Sequence, residues 1–514
     1  MAGPAGLAAV FLGILSSAAS NLDVIGVTLL RAVTTNLNGS GIPVAQVEAP
    51  ANGTTPYAFE ASPSVTGLAA SRFTWISGLG SSTTFPNSIG LESGHADQVG
   101  TDLYGSPGGV ATNVSRVSNY EANYFLNSVI PVNAGIGIKV VNQSFTIGSY
   151  NSGDDQAYDN FAAKNYTLFV TGAGFNNTNV YSPATCYNGI GVGVVLPGTP
   201  HGPTPDGRSK PDLIAPGIQD TETSYATPQV AGGAVLLQQA GARGDGGPAT
   251  NAAVDIRTIK ALLLNGAVKP ADWTNSPTTP LDARFGAGVL NVFNSYEQLA
   301  GGKHGWVSSN GVALNGAHPP AGTNAVLPVT SGWDFATNAS RSTADGVTHY
   351  VFFLGTNGNP AARYTATATL VWNRQQSQSS INNLDLFLYD SISGNLIDSS
   401  VSAVDNVEHL FVQDLPPGWY ELQVLKHGGS TVSATEAYAL AYEFFSMQLT
   451  VSSNSPVVLS WPIYPAGFVL ESTPVLGSDA AWSPVTDPPA LVSGQWQLTV
   501  DSSADAQFYR LRRP

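Results

Sequence analysis

The stretch Glu222-Thr-Ser-Tyr-Ala-Thr-Pro-Gln-Val-Ala-Gly-Gly-Ala-Val-Leu-Leu237 sets a serine, Ser224, at the opening of an apolar helix with Pro228 in its first turn. Proline fits there because the first N–H groups of a helix have no partner within it. Just upstream, Lys210-Pro-Asp-Leu-Ile-Ala-Pro-Gly217 reads as a short buried segment. Working outward, apolar runs at Ile42–Val47, Ile136–Val141, Tyr166–Val170 and Ile190–Val195 are short and nearly continuous. Strands covered on both faces read this way. Helical patterns lie between and after them, at His95–Tyr104, Thr227–Gln239 and Ile256–Ala267. This alternation predicts an α/β, doubly wound, mostly parallel-sheet domain.

In such a sheet the C-terminal ends of the strands and the N-termini of the helices face one crevice. Gly39-Ser-Gly-Ile-Pro-Val-Ala-Gln-Val-Glu-Ala49 delivers Glu48 there from a strand end. Ser93-Gly-His-Ala-Asp-Gln-Val-Gly-Thr-Asp-Leu-Tyr-Gly105 delivers His95 from a helix start. With Ser224, that is an acid, an imidazole and a hydroxyl. A serine hydroxyl is a weak nucleophile until a neighbouring base takes its proton; imidazole can do so near neutral pH, and an acid partner fixes its tautomer. The other early histidine, His201, falls in a Gly- and Pro-rich stretch and reads as a solvent-exposed loop residue.

These stretches resemble the subtilisin-like serine peptidases. Lys210–Gly217 is similar to the family's segment before the nucleophile, and Thr223–Pro228 to its nucleophile motif. His95 with Val99 and Gly100 is similar to its histidine motif, and Gly286-Ala-Gly-Val-Leu-Asn291 to the segment closing its catalytic domain. The resemblance implies Glu48, His95 and Ser224 as catalytic residues. It also implies a substrate-pairing segment along Asn142–Thr146, with Asn142, Ser144 and Phe145 as substrate-binding residues. Four positions depart from the family pattern. Glu48 stands in place of Asp, and misplacing a catalytic group by about 1 Å can cost about a hundredfold. Ala96-Asp97 follows the histidine; Asp97 either alters its surroundings or is an ordinary helix N-terminal acid. Phe175 occupies the place of the oxyanion asparagine, leaving Asn176 to fill that role. Loss of such a donor costs about 10²–10³ in rate, a magnitude known from a member of that family. Glu222 replaces a glycine and adds a charge beside the serine.

After Gly301 the pattern changes to strict alternation, as in Tyr364–Trp372 and Leu384-Asp-Leu-Phe-Leu-Tyr389. This predicts an antiparallel sandwich, and residues 303–446 resemble the β-sandwich modules that follow secreted bacterial peptidases. Asn382, Asn383, Asp385 and Asp405 could bind Ca²⁺ or serve ordinary turns; no cofactor is certain. Trp372, Trp419 and Tyr420 read as core rather than as a glycan platform. A small all-β module is expected over 447–514.

The chain has 514 residues, 43% of them hydrophobic and only 11% charged, with 55 Gly and 34 Pro. Its net charge of −15 opposes binding to phosphate backbones, so no nucleic-acid partner is expected. The single cysteine, Cys186, excludes an internal disulfide and reads as a buried thiol. An apolar N-terminal run ending in Ser17-Ala-Ala19 suggests a signal peptide over 1–20, although it lacks a basic leader. The segment before the first strand is short, so folding without a pro-domain is expected. No later run is long enough to span a bilayer. The expected organisation is a subtilisin-like domain over 21–302 followed by two all-β domains. The expected function is a secreted bacterial serine endopeptidase acting on protein or peptide substrates. The alternative is a weakened or inactive relative that binds cell-surface or polysaccharide partners through its β-modules.

Overall fold

The computed structural model describes residues 20–175, 179–195, 200–217, 222–307, 318, 326–327, 329–340, 344–356, 358–429, 432–452, 456–477, 480–500 and 507–512. The expected signal segment, apart from Ser20, lies outside them. Residues 21–445 form one compact unit and residues 446–514 belong to another.

The first unit is built on strands β1 (Pro43–Glu48), β2 (Phe73–Ser77), β3 (Gly80–Ser82), β4 (Arg116–Glu121), β5 (Val140–Gln143), β6 (Leu168–Gly172), β7 (Ile190–Val194) and β8 (Leu213–Ala215). They form one sheet in the order β8-β7-β6-β5-β1-β4-β2-β3. Every pairing is parallel except the antiparallel pair β2 and β3. From β1 the chain winds one way through β4 and the other way through β5, so the topological switch point lies at β1. Its C-terminal end is where such sheets place ligands. Two expected strands are shifted. Val140 rather than Ile136 opens β5, and Tyr166 is a left-handed helix cap, so β6 begins at Leu168.

Helices α1 (Gly94–Tyr104), α2 (Ser152–Asn165), α3 (Thr227–Arg243), α4 (Ile256–Asn265) and α5 (Val292–Ala300) flank the sheet. Ser93 caps α1 by accepting from the Ala96 N–H at 3.4 Å, which starts the helix one residue before His95. Apart from its C-terminal end, α3 is buried on all sides, and its glycines permit this. A Cβ on Gly232 would stand 2.4 Å from Val110 Cβ. Cys186 is buried, as expected, and burial pushes its thiol up.

The second part of this unit is a sandwich of strands β9 (Ser331–Ala339), β10 (Gly346–Leu354), β11 (Tyr364–Trp372), β12 (Leu384–Asp390), β13 (Leu396–Ser400), β14 (Val407–Leu415), β15 (Gly418–Lys426) and β16 (Thr435–Phe445). Its antiparallel sheets run β9-β16-β11-β14 and β10-β15-β12-β13. Between them lie Tyr350, Phe352, Leu370, Trp372, Leu386, Leu422 and Tyr442. Trp372 and Tyr420 are core residues as expected, whereas Trp419 is half-exposed against Phe353 at 4.9 Å between ring centroids.

The expected calcium ligands turn to separate partners. The Asn382 amide donates to Glu436 at 2.5 Å, Asp385 pairs with His427 at 2.9 Å, and Asp405 accepts from the Ser209 N–H at 2.8 Å. Asn383 accepts the His427 N–H through its backbone carbonyl. Among the described residues no group of three or more His, Cys, Asp or Glu side chains is arranged to hold a metal.

The α/β part and the sandwich share a packed interface in which α4 lies against β11 and β16. Buried Asn265, at the end of α4, accepts from the hydroxyls of Thr367 and Thr369 at 3.0 Å each and donates to Gln298 at 3.0 Å. Asn188 and Arg374 exchange two amide–backbone bonds at 2.8 and 2.9 Å. The second unit carries a four-stranded sheet and a three-stranded sheet around Leu459, Trp461, Leu470 and Leu498. Among the described residues no helix is long and apolar enough to cross a membrane.

Replacing Asn265 by Ala strips two threonine hydroxyls and one glutamine of a buried partner. It should destabilise the first unit by about 2 kcal/mol. Urea unfolding should show this as a lower midpoint at unchanged slope.

Candidate active site

Glu48 ends β1 at the switch point, its side chain only 1% exposed. Its Oε2 lies 2.7 Å from His95 Nδ1. Its Oε1 accepts from Gln46 Nε2 at 2.8 Å, so both carboxylate oxygens have partners. With Nδ1 turned inward, the imidazole keeps an exposed edge; the His95 side chain is 33% exposed.

Ser224 lies in the turn Thr223–Tyr225 that leads into α3. Thr223 ties this turn to the loop after β6, donating its hydroxyl to the Gly174 carbonyl at 2.7 Å and accepting the Gly174 N–H at 3.2 Å. A second tie runs to the end of β5, where the Ser144 hydroxyl donates to the Ser224 carbonyl at 2.8 Å. Asn142 Nδ2 donates to that hydroxyl at 3.1 Å. The rings of His95 and Tyr225 stand 5.8 Å apart, which brings the imidazole beside the serine turn. The Ser224 hydroxyl itself donates to the Ser144 carbonyl at 3.3 Å. Among the described residues no hydrogen bond joins it to His95. The structure thus brings Glu48 and His95 into contact and places the Ser224 turn beside the imidazole, with the serine hydroxyl bonded to the Ser144 carbonyl.

The expected substrate-binding residues differ in their surroundings. Asn142 is fully buried in an interior strand, paired in register with Gln46 on one side and Val170 on the other, so it has no edge to offer a peptide. Ser144 is spent on the serine turn, and Phe145 beyond the sheet is half-exposed. Asn176, the expected oxyanion donor, lies outside the described residues. His201 is half-buried, bridged to Asn179, rather than on an open loop. Phe175 pairs through its backbone with Glu222, and its side chain is 53% exposed, so it does not fill the crevice.

The surroundings of His95 are acidic. Burial alone would lower its pKa, but the hydrogen bond and charge of Glu48, with the charge of Glu222, outweigh this and raise it above the ordinary imidazole value. Asp97 is buried and accepts from the Ser62 N–H at 2.6 Å. Burial, opposed by that bond and reinforced by Glu92 and Glu48, pushes its carboxyl up to about 6. Burial likewise pushes Glu60 and Asp102 up to about 7, each against one amide hydrogen bond. Among the described residues each also keeps a buried oxygen without a hydrogen-bond partner.

The sequence reading missed Gln46, Tyr104 and Tyr225. Gln46 carried a signal, being a polar residue inside an apolar strand two places before Glu48 and therefore on the same face.

The raised carboxyls of Glu60 and Asp102 bind a proton more tightly folded than unfolded. Their contribution is fully present below about pH 4 and lost as pH rises through about 7. Calorimetric melts of a Glu60→Gln, Asp102→Asn chain should therefore fall less between about pH 5 and 8 than those of the parent.

The chain is similar to solved structures of peptidases. Tripeptidyl peptidase 2 aligns over 83% of this chain at 12% identity and a TM-score of 0.31. This chain covers 52% of it, about half that protein's length. The psychrophilic subtilisin-like protease Apa1 from the Antarctic psychrotroph Pseudoalteromonas sp. AS-11 aligns over 54% of this chain and 98% of its own length, at 12% identity and a TM-score of 0.36. The subtilase family model matches residues 100–288, a span that opens within α1 and takes in Ser224.

Proposed function

We propose that this protein is a secreted bacterial serine endopeptidase in which Ser224 attacks the peptide carbonyl, His95 moves the proton and Glu48 orients His95. The observation that carries this reading is the buried Glu48 carboxylate 2.7 Å from His95 Nδ1, beside a serine at the start of a helix. A carboxylate on Nδ1 leaves Nε2 as the basic nitrogen. Reaction requires rotation about the Ser224 Cα–Cβ bond, exchanging the Ser144 carbonyl for His95 Nε2; catalytic hydrogen bonds commonly tighten only when substrate arrives. Nε2 then takes the hydroxyl proton as Oγ bonds to the substrate carbonyl carbon, and returns it to the leaving amine as the peptide bond breaks. Water, activated by the same nitrogen, releases the acyl group and restores Ser224. The N-terminal end of α3 favours the negative oxygen of the intermediate. Residues beyond the sheet, from Phe145 onward, offer backbone to a substrate strand, and the acidic surroundings favour a protein or peptide substrate over nucleic acid.

A second reading is favoured by one observation: the Ser224 hydroxyl is engaged with Ser144 rather than His95. On that reading the fold is retained without catalysis, and the β-modules bind the partner.

A fluorophosphonate probe separates the two. Labelling of the mature protein, abolished in Ser224→Ala, is expected; a folded protein that resists the probe supports the second reading. The pH dependence carries a sign. Because Glu222 helps to hold the His95 pKa up, the acidic limb of the labelling profile should move to lower pH in Glu222→Gln.

A further inference from the structure

A glutamate carboxylate hangs from one more rotatable bond than an aspartate's, so at a strand end it needs a holder to keep one oxygen aimed at His95. The strand itself supplies one. Gln46 projects from the same face of β1 as Glu48 and is fully buried. Its Nε2 donates to Glu48 Oε1 at 2.8 Å and to the Ala96 carbonyl at 2.8 Å, joining the acid to the residue after His95. Its Oε1 accepts the hydroxyl of Tyr104, from the last turn of α1. Only one orientation of this amide satisfies all three contacts, because the reverse sets a carbonyl oxygen against a carboxylate. The phenol has a reserved place: a Cβ on Gly100 would stand 2.7 Å from the Tyr104 hydroxyl oxygen. Glycine inside a helix is less favourable than alanine, and here it leaves room for this contact.

We propose that Gln46, oriented by Tyr104, is a positioning residue that fixes the longer Glu48 side chain in register with His95 Nδ1. This rests on the peptidase reading above. Gln46 touches neither substrate nor the reacting atoms and acts through Glu48.

The test uses the full chain, the fluorophosphonate probe and two variants, Gln46→Met, close to isosteric, and Tyr104→Phe, which deletes one oxygen. The maximal labelling rate should fall about ten- to a hundredfold in Gln46→Met, with unchanged half-saturation by probe, and by less in Tyr104→Phe. In a Glu48→Gln background the Gln46→Met change should cost nothing more, since its target is gone. An equal loss in both backgrounds, or no loss in the parent, overturns the proposal. The far-downfield proton resonance of the His95 Nδ1–H, assigned by its absence in His95→Ala, gives a readout that needs no catalysis. It should broaden or vanish in Gln46→Met and shift in Tyr104→Phe; an unchanged resonance overturns the proposal. A parent that does not label but shows these resonance changes would sink the peptidase reading and leave the positioning role standing. Should Gln46→Met fail to give a cooperative melt, Tyr104→Phe carries both readouts.

Discussion

A carboxylate sealed at the end of an interior strand is the constraint around which the candidate site is arranged. An isolated ion in that position would be costly to remove from water, so every oxygen of Glu48 must be matched by a donor. One donor is an imidazole and the other an amide. Meeting both requirements fixes the start of α1 relative to β1, because the amide also holds the Ala96 carbonyl. The histidine is therefore held by its ring and, one residue on, by its backbone. The serine is held by a different set, the ends of β5 and β6, through Ser144 and Thr223. The two halves of the site belong to opposite sides of the switch point and meet above β1.

A second buried charge steadies the frame further along the sheet. Asp212, just before β8, lies between Lys210 at 2.5 Å and Lys260 at 2.9 Å, with all three side chains nearly inaccessible. Burial alone would raise its carboxyl, and the two ammonium groups hold it below its ordinary value instead. Lys260 belongs to α4, which is also the helix that receives the sandwich. One helix thus connects the segment before the nucleophile to the sandwich.

Much of this was legible in the residues. The buried strands announced themselves as unbroken apolar runs, and Glu48, His95 and Ser224 fell where strand ends and helix starts converge. Other features could not be read, for physical reasons. Spacing places Ser224 on its turn but says nothing of its side-chain torsion, which a single hydrogen bond to Ser144 decides. Asn142 looked available because a local motif does not show which strands flank it. Asp405, open in the sequence to either a calcium or a turn role, fastens to the Ser209 N–H, since a carboxylate's partner depends on long-range packing. Gln46 was visible as an oddity in its strand, but its meaning required Tyr104, many residues away.

The docking of α4 against β11 and β16 bears on when the molecule becomes itself. Residues of the α/β part leave the ribosome well before residues 364–445, yet the outer side of α4 finds its cover only in those later strands. The sheet is parallel, and its neighbours are distant in sequence, so folding is already dominated by slow, long-range closure. Joining the sandwich adds a further long-range step. The outer side of α4 is therefore covered only once residues 364–445 have been made.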